Sequence, residues 1–96
     1  MESENAHRPL APGTRVRLRA FEGEATAPPD VEPHENYWRL VRQPGTVRSV
    51  VAPAGIRSDC VLIDFDVNVS GMGLSCHNEV ENALWISRSD IAWKRT

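Results

Sequence analysis

Apolar and polar residues alternate in five short stretches of the chain, and each stretch predicts a strand with one buried face. Between Thr14 and Ala20, Val16, Leu18 and Ala20 alternate with Arg15, Arg17 and Arg19. Thr46 to Val51 sets Val47 and Val51 on one side and Thr46, Arg48 and Val50 on the other. The clearest alternation runs from Cys60 to Val67, with Val61, Ile63, Phe65 and Val67 opposed to Cys60, Leu62, Asp64 and Asp66. Ala83-Leu84-Trp85-Ile86 predicts a fourth strand with Leu84 and Ile86 inward and Trp85 outward. A tight or 3₁₀ turn over Ser87 to Asp90 then leads to a fifth strand at Ile91-Ala92-Trp93-Lys94. Val47, Ile63 and Phe65 are expected in the core.

The intervening segments carry breakers. Phe21 to Glu35 holds Pro28, Pro29 and Pro33 with Glu22, Glu24, Asp30, Glu32 and Glu35, and contains no lysine or arginine. It reads as an acidic loop, long enough for a compact domain to suggest a role. Asn36 to Arg42 predicts one or two helical turns, with Asn36 as N-cap and Tyr37, Leu40 and Val41 on one face. Pro44-Gly45 marks a turn, Ala52 to Gly55 closes the second strand, and 68–82 is irregular around Gly71 and Gly73. Residues 1–12 lack apolar periodicity and read as a flexible tail, so a single domain is expected over 13–96.

The length of 96 residues allows one core. Hydrophobic and charged fractions of 41% and 25% are those of an ordinary globular chain, which excludes bulk disorder and a fibrous repeat. Five short strands in one small core favour closure into a barrel, because closure removes unpaired edges. The expected class is all-β: a five-stranded barrel with a long acidic loop after the first strand and one short helical or 3₁₀ turn.

The order of these elements resembles the SH3-like small barrels. Gln43-Pro44-Gly45-Thr46-Val47-Arg48-Ser49-Val50, followed by Val61-Leu62-Ile63-Asp64-Phe65-Asp66, resembles the Gly-containing two-strand unit of KOW-type barrels, as in small bacterial domains. The resemblance covers residues 14–94 in topology and these two strands in motif. It implies binding rather than catalysis, with RNA, peptides and other proteins among the ligands of the class. A plasmid-borne dihydrofolate reductase uses this fold through a Val-Gln-Ile-Tyr segment; Leu84-Trp85-Ile86-Ser87 has neither the Gln nor the Tyr, so that activity is not carried over.

The net charge of −2 supplies no global basic field to draw the chain onto nucleic acid or an anionic membrane. No apolar run is long enough to span a bilayer, and the polar N-terminus lacks a signal-peptide core, so a cytoplasmic protein without membrane association is expected. In that setting Cys60 and Cys76 are expected as free thiols. Neither a metal site nor a cofactor is expected: Cys60, Cys76, His34 and His77 have no Cys-x-x-Cys spacing, and adjacent Cys76 and His77 point to opposite faces of an extended chain. The same adjacency argues against a Cys76/His77/Asn78 nucleophile. Asp64 and Asp66, about 7 Å apart along one strand face, read as a solvated face beside Arg48 or the arginines of the first strand.

Two surfaces remain as candidates. The first joins Tyr37, Trp38 and Trp85 to Glu32 and Glu35, as an aromatic and acidic surface for a protein or peptide partner, with tryptophans supplying rigid contact area and the carboxylates pairing with a cation. The second is an arginine face of Arg15, Arg17, Arg19, Arg39, Arg42 and Arg48, as an alternative surface for RNA or DNA. The expected function is a non-catalytic interaction module, monomeric or homodimeric.

Overall fold

A computed structural model of the chain describes residues 10–76 and 80–93. Five strands, β1 (Arg15–Leu18), β2 (Pro44–Ser49), β3 (Cys60–Phe65), β4 (Ala83–Ser87) and β5 (Ile91–Trp93), form one antiparallel sheet in the order β4-β3-β2-β1-β5. The remaining regular structure among the described residues is four 3₁₀ turns, at Pro33–Glu35, Tyr37–Leu40, Ser70–Met72 and Arg88–Asp90. Prolines and acids keep the first of these short, and Arg42, at φ 80°, turns the chain out of the second and into β2.

The inner face is built by the alternation read from the sequence. Val16, Leu18, Val47, Val61, Ile63, Phe65, Leu84, Ile86 and Ile91 are buried in one cluster, which Leu40, Val69 and Leu74 from the connecting segments complete. Central β2 carries a glycine at its second position for a steric reason. A Cβ on Gly45 would lie 2.8 Å from Ile63 Cγ2 and 2.9 Å from the Asp64 carbonyl, so no larger residue fits between β1 and β3.

Some expectations need correction. Val51 was expected to share the buried side with Val47, but it is 76% exposed. The pairing runs Val47 with Ile63, then Ser49 with Leu62, leaving Arg48 as the extra residue of a bulge that resets the alternation. Asn36 makes no side-chain capping bond, and the turn it precedes is 3₁₀ rather than α. Leu10, read as part of the tail, is buried in the core, and the Gly13 N–H donates to the Val47 carbonyl at 2.8 Å. Packed structure thus includes Leu10.

Each of β4 and β5 pairs on one side only among the described residues, so the sheet has two edges. The turn Arg88–Asp90 ties its two ends. The Arg88 N–H donates to the Asp59 carbonyl before β3, while the Asp90 carbonyl accepts from Arg19 and Ala20 after β1.

Candidate partner-binding surface

The acidic loop leaves β1 through a tight turn. Phe21 and Glu24 exchange backbone hydrogen bonds of 2.9 and 3.0 Å around Glu22 and Gly23, whose φ angles of 54° and 78° give the doubly left-handed geometry that suits a hairpin. Buried Asp90 anchors this turn by accepting the Gly23 N–H on Oδ1 at 3.2 Å. The Phe21 ring then meets Tyr37 at 5.3 Å and Trp38 edge-on at 5.0 Å between centroids. Such pairs add about 0.5–1.5 kcal/mol beyond area burial.

The far end of the loop is fastened by the same aromatics. Trp38 Nε1–H donates to the Glu24 carbonyl at 3.1 Å, and Tyr37 O–H donates to the Ser75 carbonyl at 2.6 Å. The Ser75 N–H returns a bond to the His34 carbonyl at 2.9 Å. Burial first, and then the neighbouring Glu35 carboxylate, push the Tyr37 phenol above its ordinary value, which keeps it protonated as a donor.

This arrangement divides the aromatic surface expected from the sequence. Tyr37 is only 9% exposed, so it holds the loop rather than offering contact area, a correction to its place among the partner-binding residues. Trp38 is half-buried against Phe21 with Glu24 above its indole nitrogen. Trp85 belongs to a separate element: it lies half-buried on the outer face of β4, opposite Leu62 of β3. Trp93, the remaining tryptophan, is half-buried opposite Val16.

The loop's carboxylates stay on the surface. Glu22, Glu24, Asp30, Glu32 and Glu35 are all exposed, and among the described residues none forms an ion pair with lysine or arginine. Glu35 has only His34, at 3.9 Å. Five negative charges are therefore held on a short segment whose two ends are fixed.

The arginine face is spent largely on the chain itself. Arg15 makes a two-pronged contact with Asp66, at 2.9 and 2.6 Å, and also donates to Thr46 Oγ1 at 2.7 Å. This guanidinium holds the Asp66 carboxyl below its ordinary range. Arg48 meets Asp64 at 3.3 Å, Arg17 donates to the Arg42 carbonyl, and Arg39 donates to the Met72 carbonyl at 2.6 Å. All six arginines, Arg19 and Arg42 among them, are exposed. Basic and acidic groups thus alternate over the outer face of β1 to β3, and the field that phosphate binding needs is diluted there.

A polar cleft of about 800 Å³ opens between Asp66, Ser75, Cys76, Glu81 and Asn82. Cys76 is a free, half-buried thiol whose Sγ–H faces the Ala83 carbonyl at 3.7 Å, and Cys60 is free and buried. His77 and Asn78 lie outside the described residues. Among the described residues no group of three or more His, Cys, Asp and Glu side chains is placed to hold a metal ion, and no helix is long and apolar enough to cross a membrane.

Sequence reasoning missed Phe21, Asp90 and Asn82 as organisers. The dipeptide Glu22-Gly23 was a turn signal for the first, whereas the burial of Asp90 and the three bonds of Asn82 to Phe65, Val67 and Val69 had no local signature. No protein-family model matches the chain, and comparisons with curated proteins and with solved structures give no match either.

Proposed function

We propose that this chain is a non-catalytic interaction module of the SH3-like barrel type, whose acidic loop receives a basic, extended segment of a partner protein. One observation carries the reading: five exposed carboxylates on residues 22–35 lack arginine or lysine ion partners among the described residues, beside the half-exposed face of Trp38. A cationic segment places charge of opposite sign against these carboxylates, while Trp38 offers a ring face for an arginine or lysine at about 0.5–2 kcal/mol.

Because both ends of the loop are fixed by Asp90, Phe21, Tyr37 and Ser75, the ordering cost on binding is small. Glu32 precedes the turn Pro33–Glu35 and Glu35 ends it, and both are exposed. A cytoplasmic setting, with two free thiols, belongs to the same reading. The nucleic-acid alternative has weaker support, since Arg15 and Arg48 are already paired with Asp66 and Asp64.

The test is affinity capture with the full chain as bait, before and after nuclease treatment, alongside a variant carrying E22Q, E24Q, D30N, E32Q and E35Q. A protein partner that survives nuclease and is lost with the variant supports the proposal. Retention by the neutralised variant, or recovery only of nucleic acid, overturns it.

A further inference from the structure

A second exposed feature is apolar. The connection between β2 and β3 begins Val50-Val51-Ala52-Pro53-Ala54-Gly55-Ile56, without a polar side chain. Val51 is 76% exposed and Ile56 36%, so the exposed large hydrophobics among the described residues both fall in this run. Pro53, Ala54 and Gly55 between them are exposed as well. Consecutive exposed apolar residues are unfavourable in water and mark a contact surface. The run is held in shape: Ser49 Oγ accepts the Val51 N–H at 3.2 Å, and the Ile56 N–H donates to the Pro53 carbonyl at 3.1 Å through a turn with Gly55 at φ 93°.

The run and the acidic loop are fastened to one turn. Within Arg88–Asp90, the Arg88 N–H donates to the Asp59 carbonyl at the end of the β2–β3 connection, and Asp90 Oδ1 accepts the Gly23 N–H at the head of the acidic loop. The Ser87 hydroxyl adds a bond to Asp59 Oδ2 at 2.7 Å. Three residues of chain thus set the turn that carries Glu22 and Glu24 next to the connection that carries Val51 and Ile56. Arg57 lies at this junction and pairs with Asp59 at 3.5 Å, so the two together add no net charge there. Resting on the reading of the acidic loop as a receptor for cations, we infer that the apolar run is a second contact for the same partner: a basic segment that also carries an aliphatic or aromatic residue, which packs on Val51 and Ile56 while its arginine or lysine meets Glu22 and Glu24.

Charge and polarity select this occupant. A wholly polar basic segment would leave Val51 and Ile56 in water, and an uncharged apolar one would set nothing against the carboxylates. A second copy docked run to run would bring the two acidic turns together, like charge against like charge. An anionic bilayer would meet the same repulsion from Glu22 and Glu24. Because local turns already shape the run, little ordering cost is added on contact.

The experiment is calorimetric titration of the full chain with two capped peptides, Leu-Leu-Arg-Lys-Arg-Leu-Leu and Ser-Ser-Arg-Lys-Arg-Ser-Ser, repeated with V51S/I56S and with the variant carrying E22Q, E24Q, D30N, E32Q and E35Q. The inference expects the leucine peptide to bind the unaltered chain at least ~10-fold more tightly than the serine peptide. In V51S/I56S that advantage should vanish while the serine peptide binds as before. Both substituted side chains are exposed, and far-UV circular dichroism checks that the variant is folded. Equal affinity of the two peptides for the unaltered chain, or a leucine advantage that survives in V51S/I56S, overturns the inference; if both peptides are then lost from the neutralised loop, the acidic-loop reading stands without it. Binding that is indifferent to neutralisation of the loop, or no binding of either peptide, overturns both.

Discussion

Replacing Asn82 by alanine should be among the most damaging single changes in this domain, although Asn82 is neither charged nor part of the apolar core. Its Nδ2 donates to the Phe65 and Val67 carbonyls at 2.6 and 2.7 Å, and its Oδ1 accepts the Val69 N–H at 2.6 Å. Val69 is 0% exposed, so its orphaned N–H would find no water and would cost about 1–3 kcal/mol. Loss of the two carbonyl bonds adds roughly 1–2 kcal/mol. The backbone at Asn82 has φ 68°, a left-handed conformation that asparagine tolerates and alanine pays for with about 1 kcal/mol. The sum is ~3–6 kcal/mol, a large part of the ~5–15 kcal/mol that holds a typical domain together. Urea unfolding followed by tryptophan fluorescence measures it, with Asn82→Gly as the companion that keeps the backbone conformation and loses only the bonds. Glycine should recover about 1 kcal/mol of the alanine loss. A cost below about 1 kcal/mol for alanine would refute the argument that this side chain holds the segment after β3.

Three further outcomes follow from particular contacts. Gly45→Ala should cost ~1–3 kcal/mol in the same urea assay, since its Cβ meets Ile63 and the Asp64 carbonyl below 3 Å; a neutral result would mean that β2 and β3 part easily. Val51→Thr should change stability by no more than about 0.5 kcal/mol, because the bulge at Arg48 turns Val51 to solvent. Acidification should destabilise the fold through Asp59, held below its ordinary value chiefly by the Ser87 hydroxyl, and Asp66, held down by Arg15. Carboxyls depressed in the folded state stabilise above the unfolded pKa and lose that contribution as pH falls through the folded one, so the urea midpoint should drop below about pH 4. The double variant D59N/D66N should show a shallower drop; an equally steep one would place the acid-sensitive groups elsewhere.

The strands were legible because the residues of their inner faces are apolar and buried, although Cys60 and Leu62 of β3 and Ala83 and Ser87 of β4 are buried on the opposite face as well. Val61, Ile63 and Phe65 show this most plainly, and Leu84 and Ile86 repeat it. The same rule failed at Val51, where one inserted residue reverses every later side chain and no local composition marks the insertion. It failed differently at Tyr37. An aromatic in a turn reads alike whether it fills the core or faces a partner, and only the distant Ser75 carbonyl decides the matter. The acidic loop was legible as charge, but not as a fixed scaffold. Its anchors, Asp90 and the ring pairs of Phe21, arise from contacts between residues far apart in the chain. The arginine face was legible as alternation, but its acid partners were not: Arg15 meets Asp66 just past β3, and Arg48 meets Asp64 across the β2–β3 pair.

The most direct test of the account is an NMR titration of the isotopically labelled chain with a short arginine- and lysine-rich peptide, repeated with a short RNA oligonucleotide. The account predicts shifts confined to residues 21–38 and the Trp38 indole with the peptide, abolished in the loop variant carrying Gln and Asn, and no saturable shifts with RNA. Saturable shifts at Arg15, Arg17, Arg19, Arg42 and Arg48 with RNA, and a silent acidic loop with the peptide, would contradict it.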